Sequence, residues 1–298
     1  MSNALRVKRF EPRSIKPHRI CLFVGCRGSG KTHCMNSVIA ELAGTFHFGL
    51  AFSPTHDTTT EWAKYMPRSW IYERYCHDKV EDMINVQKRA LRDGKEPKAL
   101  FILLDDCIYD KTVLASTVMR ELFQNGRHLR IHLSIAVQYL VDMSPALRSN
   151  VDYVFSTKEK ILVNRVKLHK YFFGLWSEFK NFDRVFDACT QAYSTIVLDN
   201  TAKSSAPEDC VFWYRAPESI PECKIGHKVF WALSEKHAKT EEQHRAELAQ
   251  REAQEKEDIE KKRRKKEPLV VSVQDDRGNW VSSTAYTIPK PNSPRIRM

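Results

Sequence analysis

A chain of 298 residues, 42 % of them hydrophobic, can bury one large core or two small ones, and none of its apolar runs approaches the roughly 18 residues that a membrane span needs. Its eight cysteines form no C-x-x-C pair, Cys210, Cys223, His227 and His237 match no usual zinc spacing, and the first residues lack the apolar middle of a secretory signal, so a soluble intracellular protein is expected. The formal charge of +11 is uneven: residues 1–19 hold a net +5, and the block KKRRKK stands at Lys261–Lys266. Such clusters either attract phosphate backbones or serve as solvated tails.

In chain order, Arg19–Val24 reads as a short apolar strand ended by Gly25, and KTHCMNSVIAELAG as a helix ended by Gly44. FHFGLAFSP is a second strand, broken by Pro54. Residues 57–75 carry little pattern. Val80, Met83, Ile84, Ala90 and Leu91 recur at helical spacing. Ala99–Asp106, ALFILLDD, is a continuous apolar run ending in two acids, the pattern of a central parallel strand covered on both faces. Leu114, Val118 and Leu122 mark one helix, closed by Asn125-Gly126, and Ile131, Leu133, Ile135 and Val137 alternate in a strand. VDYVFS, AYSTIVLD and CVFWYRA read as later strands, with two helical stretches between the first and second.

This alternation predicts an α/β fold with a mostly parallel central sheet and helices on both faces, plus a charged C-terminal extension. The expected division is a basic N-terminal arm over 1–18, a P-loop ATPase domain over 19–233, and a charged helical or disordered tail over 234–298. Leu248 and Ile259 are too few to form a coiled-coil seam in that tail, and residues 268–298 read as flexible.

Gly25-Cys26-Arg27-Gly28-Ser29-Gly30-Lys31-Thr32 matches G-x-x-x-x-G-K-[ST], the Walker A pattern, between a strand and a helix. Glycines let the backbone wrap phosphate oxygens, and the N–H groups of the loop and of the helix it opens point at the anion. Lys31 is expected to reach the β- and γ-phosphates of ATP, and the Thr32 hydroxyl to ligate Mg²⁺. Asp105 and Asp106 fall where a Walker B pair would stand. One carboxylate cannot easily both hold metal and act as a base, because metal contact lowers its basicity. Asp105 is therefore assigned to Mg²⁺ and Asp106 to activating water. Gln138 follows a strand. If that strand lies between the phosphate-loop and acid strands, Gln138 faces the γ-phosphate. Arg127, in QNGRHLRI, and Arg148, in SPALRSNVDY, are both candidates to neutralise transition-state charge from a neighbouring subunit, and the sequence does not choose between them.

As an ordered set, GCRGSGKT, LLDD, NGRH before the strand ending at Gln138, SPALRSNVDYVF and DCVFWYRA resemble the FtsK–HerA superfamily of pumping ATPases. Within it they resemble the poxvirus-type DNA-packaging ATPases of nucleocytoplasmic large DNA viruses, over roughly Pro17 to Ala216. The resemblance implies a RecA-like P-loop NTPase core acting as a homo-oligomeric ring of five or six subunits that translocates double-stranded DNA into a preformed capsid. It also implies a capsid or portal-vertex partner, and a place in the host cytoplasm or nucleus where virions assemble, or in the virion. It gives Lys31 and Thr32 to phosphate and Mg²⁺, Asp105 to Mg²⁺, Asp106 to water activation and Gln138 to sensing. A cellular-type DNA helicase or pump, and a nucleotide-regulated scaffold with little turnover, remain open on the sequence alone.

Overall fold

The computed structural model describes residues 5–107, 111–138, 143–236, 241–264, 271–274 and 280–283. The chain divides into two units, residues 1–238 and 239–298. In the first, the order is β1 (Lys8–Arg9), β2 (Ile20–Val24), α1 (Lys31–Glu41), β3 (Phe48–Phe52), α2 (His56–Trp62), β4 (Ile71–Tyr72) and α3 (His77–Arg92). Then come β5 (Leu100–Asp105), α4 (Lys111–Ala115), α5 (Thr117–Asn125), β6 (Ile131–Val137), α6 (Pro145–Arg148), β7 (Tyr153–Ser156), α7 (Leu162–Tyr171) and α8 (Phe179–Cys189). β8 (Thr195–Asp199), α9 (Pro207–Cys210), β9 (Val211–Tyr214) and α10 (Lys228–Lys236) complete the unit.

Nine strands form one sheet in the order β1-β9-β8-β7-β2-β6-β5-β3-β4. All neighbours are parallel except β8, which runs against both β7 and β9. The apolar runs are continuous because both faces are buried. Alternate residues of one strand enter different cores. Ile20, Leu22 and Val24 of β2 pack with Leu100, Ile102 and Leu104 of β5 and with side chains of α3, α5 and α8. Cys21, Phe23, Phe101 and Leu103 pack with Met35, Val38 and Ile39 of α1 and with Trp62 of α2. All eight cysteines are free and five are buried, as expected of small apolar fillers.

Four features depart from the sequence reading. The N-terminal arm is part of the domain: Lys8 and Arg9 pair with Phe212 and Trp213, and Phe10, 3 % exposed, packs its ring against Tyr153, Phe155 and Phe212. The expected helix around Leu114–Leu122 is split at Ser116, whose hydroxyl caps α5 by accepting from the Met119 N–H. And α10 runs through the expected boundary at 233/234 to Lys236. Among the described residues the second unit holds a long helix, α11 (Glu241–Arg264), and an antiparallel ribbon of β10 (Val271–Gln274) and β11 (Trp280–Ser283) where flexible chain was expected. Lys265 and Lys266 of the basic block, and His237, lie outside the described residues.

His132 is a buried polar member of β6. Its Nε2 lies 3.0 Å from Ser134 Oγ, its Nδ1 has no partner, and burial pushes its pKa down to about 3. The unfolded histidine takes a proton near pH 6.5, so this depressed group supports the fold above that pH and costs stability as pH falls below it. Urea denaturation of wild type and His132→Leu should therefore diverge between pH 7 and 4. Wild type is expected to lose up to about 1.4 kcal/mol more per pH unit, and parallel profiles would refute this. In the same assay at pH 7, Phe10→Ala should cost about 3–5 kcal/mol, whereas a loose arm would lose nothing.

Candidate nucleotide site

The parallel register brings the ends of β2, β6 and β5 to one edge of the sheet. Val24 pairs with Val137, and Ala136 with Asp105, so β6 does lie between the phosphate-loop strand and the acid strand. The loop leaves β2 at Gly25, whose N–H donates to the Val137 carbonyl at 3.2 Å. A methyl group on Gly25 would lie 1.9 Å from Thr157 Oγ1 and 2.6 Å from Ser29 Oγ, so only glycine fits. Thr157 follows β7 and donates to Ser29 Oγ (2.7 Å), which in turn donates to the Cys26 carbonyl (2.7 Å). These bonds fix the curl of the loop from inside. Gly28 and Gly30 take φ of +75° and +85°, and Gly30 is the N-cap of α1. Cys26 and Arg27 are exposed.

Lys31 is only 4 % exposed and donates to Asp106 Oδ2 at 2.6 Å. Gln138 Nε2 donates to the same oxygen at 3.3 Å. Thr32 Oγ1 donates to Asp105 Oδ1 at 3.1 Å. Asp106 adopts φ +49°, a conformation that disfavours side chains by roughly 1–2 kcal/mol, and it turns the two neighbouring carboxylates to different partners. Burial, then the charge of Asp106, raises the pKa of Asp105 to about 6, against the lowering influence of Lys31 and Thr32. Asp105 Oδ2 and Asp106 Oδ1 are buried without a hydrogen-bond partner. Two orphaned carboxylate oxygens beside a threonine hydroxyl are hard donors, the set Mg²⁺ prefers. These residues therefore fit that ion, while no cluster of three or more His, Cys, Asp or Glu able to hold a metal occurs among the described residues.

The two arginines are not brought to this edge. Arg127 precedes β6, at the opposite end of the strands, about 20 Å away along that seven-residue strand. It donates to Asp152 Oδ1 at 2.9 Å, beside Arg19 on the same oxygen at 3.0 Å, while Asp152 Oδ2 accepts from the Ile20 N–H. Arg148 ends α6, donates to the Met143 carbonyl, and lies over the Tyr171 ring at 3.9 Å. Neither is placed to reach its own phosphate loop. Thr157 belongs to the site and was missed. Thr157 had a signal, being the first polar pair-breaker after the strand VDYVFS beside β2, the same logic that selects Gln138.

A family model described as the Poxvirus A32 protein matches residues 7–173, more than half of the chain. The chain belongs to that family. The match begins within the arm that the fold incorporates and contains every motif of the site up to Thr157. Among relatives, uncharacterized protein 088R of Invertebrate iridescent virus 3 is 31 % identical over 206 residues, covering 68 % of this chain and 78 % of that one. Uncharacterized protein 015R of Frog virus 3 is 28 % identical over 210 residues, covering 70 % of this chain and 65 % of its own. Among solved structures, the genome packaging NTPase B204 of Sulfolobus turreted icosahedral virus 2, in complex with AMPPCP, superposes with a TM-score of 0.48 at 14 % identity, over 68 % of this chain and all of that one.

The close approach at Gly25 gives a direct check. Gly25→Ala should abolish binding of a fluorescent ATP analogue, and adding Thr157→Ala, which removes the nearest clashing hydroxyl, should restore part of it. Normal binding by the single variant would show that the loop does not need this contact.

Proposed function

We propose that this family member is a viral genome-packaging ATPase: a homo-oligomeric ring of five or six subunits that spends ATP to drive double-stranded DNA into a preformed capsid. The observation that carries the reading is the convergence of Lys31, Thr32, Asp105, Asp106 and Gln138 on one sheet edge beneath the phosphate loop. Membership of the poxvirus A32 family supports it, and among the described residues no helix is long and apolar enough to cross a membrane. The site of action that follows is the infected host cell, in cytoplasm or nucleus where virions assemble, with a capsid or portal vertex as docking partner.

In the proposed cycle the loop N–H groups and Lys31 hold the triphosphate. The γ-phosphate competes with Asp106 for the Lys31 ammonium. Release of that ion pair frees the Asp106 carboxylate to take a proton from the attacking water, which Gln138 orients across the 3.3 Å that separates it from Asp106. Thr32 and Asp105 would hold Mg²⁺, which neutralises phosphate charge when bound. Once the γ-phosphate leaves, Lys31 and Gln138 return to Asp106, so hydrolysis alters the ends of β2, β5 and β6 together. Neither Arg127 nor Arg148 reaches its own subunit's acids, and the reading assigns one of them from one subunit to the site of the next. DNA grip through the phosphate backbone is sequence-independent and weakens with salt.

Steady-state ATPase assays of the oligomer with and without duplex DNA test this. Hydrolysis should rise with duplex at low salt and lose that stimulation at high salt. Lys31→Ala and Asp106→Asn should each reduce turnover by at least about 100-fold with the thermal midpoint of a folded protein. Turnover indifferent to DNA, or retained by Lys31→Ala, would overturn the proposal. Strand displacement by the wild type would move the protein to the helicases.

A further inference from the structure

Tyr193 is 74 % exposed, the most exposed of the large apolar side chains, yet it does not point into open solvent alone. A methyl group on Gly30 would lie 3.3 Å from Tyr193 Cδ1, so the ring borders the glycine that precedes Lys31 in the loop. The backbone that puts it there is unfavourable. Between α8 and β8 the Ser194 N–H donates to the Gln191 carbonyl at 2.8 Å, closing a four-residue turn whose central residues, Ala192 and Tyr193, have φ of +48° and +61°. That is a type I′ geometry, normally filled by Asn and Gly. A tyrosine in this position, left uncovered, is strain without a packing gain, and strain held at a ligand edge points to use.

The neighbours define what the ring faces. β8 runs against β7, so its first residue, Thr195, sits at the phosphate-loop edge and pairs with Tyr214 at the end of β9. The chain leaving β9 reaches Pro217, whose carbonyl lies 2.7 Å from His33 Nε2, on the first turn of α1. Tyr193, Gly30, His33 and Pro217 thus occupy one edge, on the β7–β8–β9 side of the loop, opposite the Asp105–Asp106–Gln138 side where the γ-phosphate reacts. A triphosphate lying along the loop has its terminal phosphate toward the acids and its sugar and base toward Tyr193.

We infer that Tyr193 is the stacking platform for the nucleobase of the bound nucleoside triphosphate. The inference rests on the nucleotide site proposed above and assigns its second half. Aromatic rings stack on any base by its π-face, with an alanine cost equivalent to about tenfold or more in affinity. An exposed, conformationally fixed ring loses little freedom on binding.

Calorimetric titration with the β,γ-methylene analogue of ATP, and with inorganic triphosphate as a probe lacking a base, tests it. Tyr193→Ala should weaken the analogue about tenfold and leave triphosphate unchanged; Tyr193→Phe should bind both as wild type does. Tyr193→Gly, which suits a positive φ, should raise the thermal midpoint while weakening the analogue as alanine does, so a fold defect cannot account for the loss. Unchanged analogue affinity in Tyr193→Ala, or equal weakening of both ligands, overturns the base platform while the phosphate site stands. Failure of the wild type to bind either ligand overturns the nucleotide site itself.

Discussion

Three parallel strands, β2, β6 and β5, are hydrogen-bonded in a register that ends their apolar runs side by side, and the chemistry of the molecule depends on that register. Each strand is buried on both faces, so charged side chains are tolerated only where the ladder stops, and the polar His132 and Ser134 inside β6 lie against each other at 3.0 Å. Gly25, Gln138 and Asp105–Asp106 are what the chain offers at those stops. A slip of one residue in β6 would turn Gln138 away and carry His132 to the other core. The Lys31–Asp106 ion pair then ties the ends of two strands that are not themselves neighbours. Lys31 at 4 % exposure has no favourable place without an anion, and the fold supplies one in Asp106.

This explains the paired acids better than their adjacency does. Asp105, at 2 % exposure, completes β5 and pairs with Thr32, while Asp106 leaves the strand at φ +49° toward Lys31 and Gln138. The backbone turn between them separates a carboxylate held against a hydroxyl from one held against an ammonium. The raised pKa of Asp105 comes first from its burial and then from the neighbouring Asp106 charge, which Lys31 offsets only in part.

What was legible in the sequence follows from how local each signal is. The phosphate loop is read from eight contiguous residues, and β5 from an unbroken apolar run, because burial on both faces removes polar alternation. The position of β6 between β2 and β5 was read as a condition for Gln138 and is met. The arm was misread because a two-residue strand of Lys8 and Arg9 has no apolar pattern; its anchor, Phe10, is a single residue whose partners Tyr153, Phe155 and Phe212 lie far along the chain. The split at Ser116 was hidden because Leu114, Val118 and Leu122 keep a common core face across the break. Tyr193 was invisible as a site residue because it reaches the loop only after β8 has folded beside β7, itself next to β2. Ala192-Tyr193 carries no turn signature at all, since the turn takes the conformation of Asn-Gly without its residues.

The incorporation of the arm also changes how its charge is to be read. As a free tail, residues 1–19 would be a polycation available to a phosphate backbone. In the fold, Arg19 is committed to Asp152, Arg13 donates to Glu41 at 2.6 Å, and Arg9 lies 6.0 Å from the Trp213 ring. The Arg13 pair is exposed and weak, so duplex DNA could recruit it at little cost, but Arg19 is 14 % exposed on an aspartate that also holds Arg127 and the start of β2. Withdrawing Arg19 would leave a buried carboxylate short of a partner, a loss that a solvated phosphate contact does not offset. The same reasoning separates the two arginine candidates. Arg127, 61 % exposed, shares Asp152 with Arg19 and can leave it still paired. Arg148 is held by a carbonyl and an aromatic face together. Of the two, Arg127 is the one the fold leaves freer to serve a second subunit.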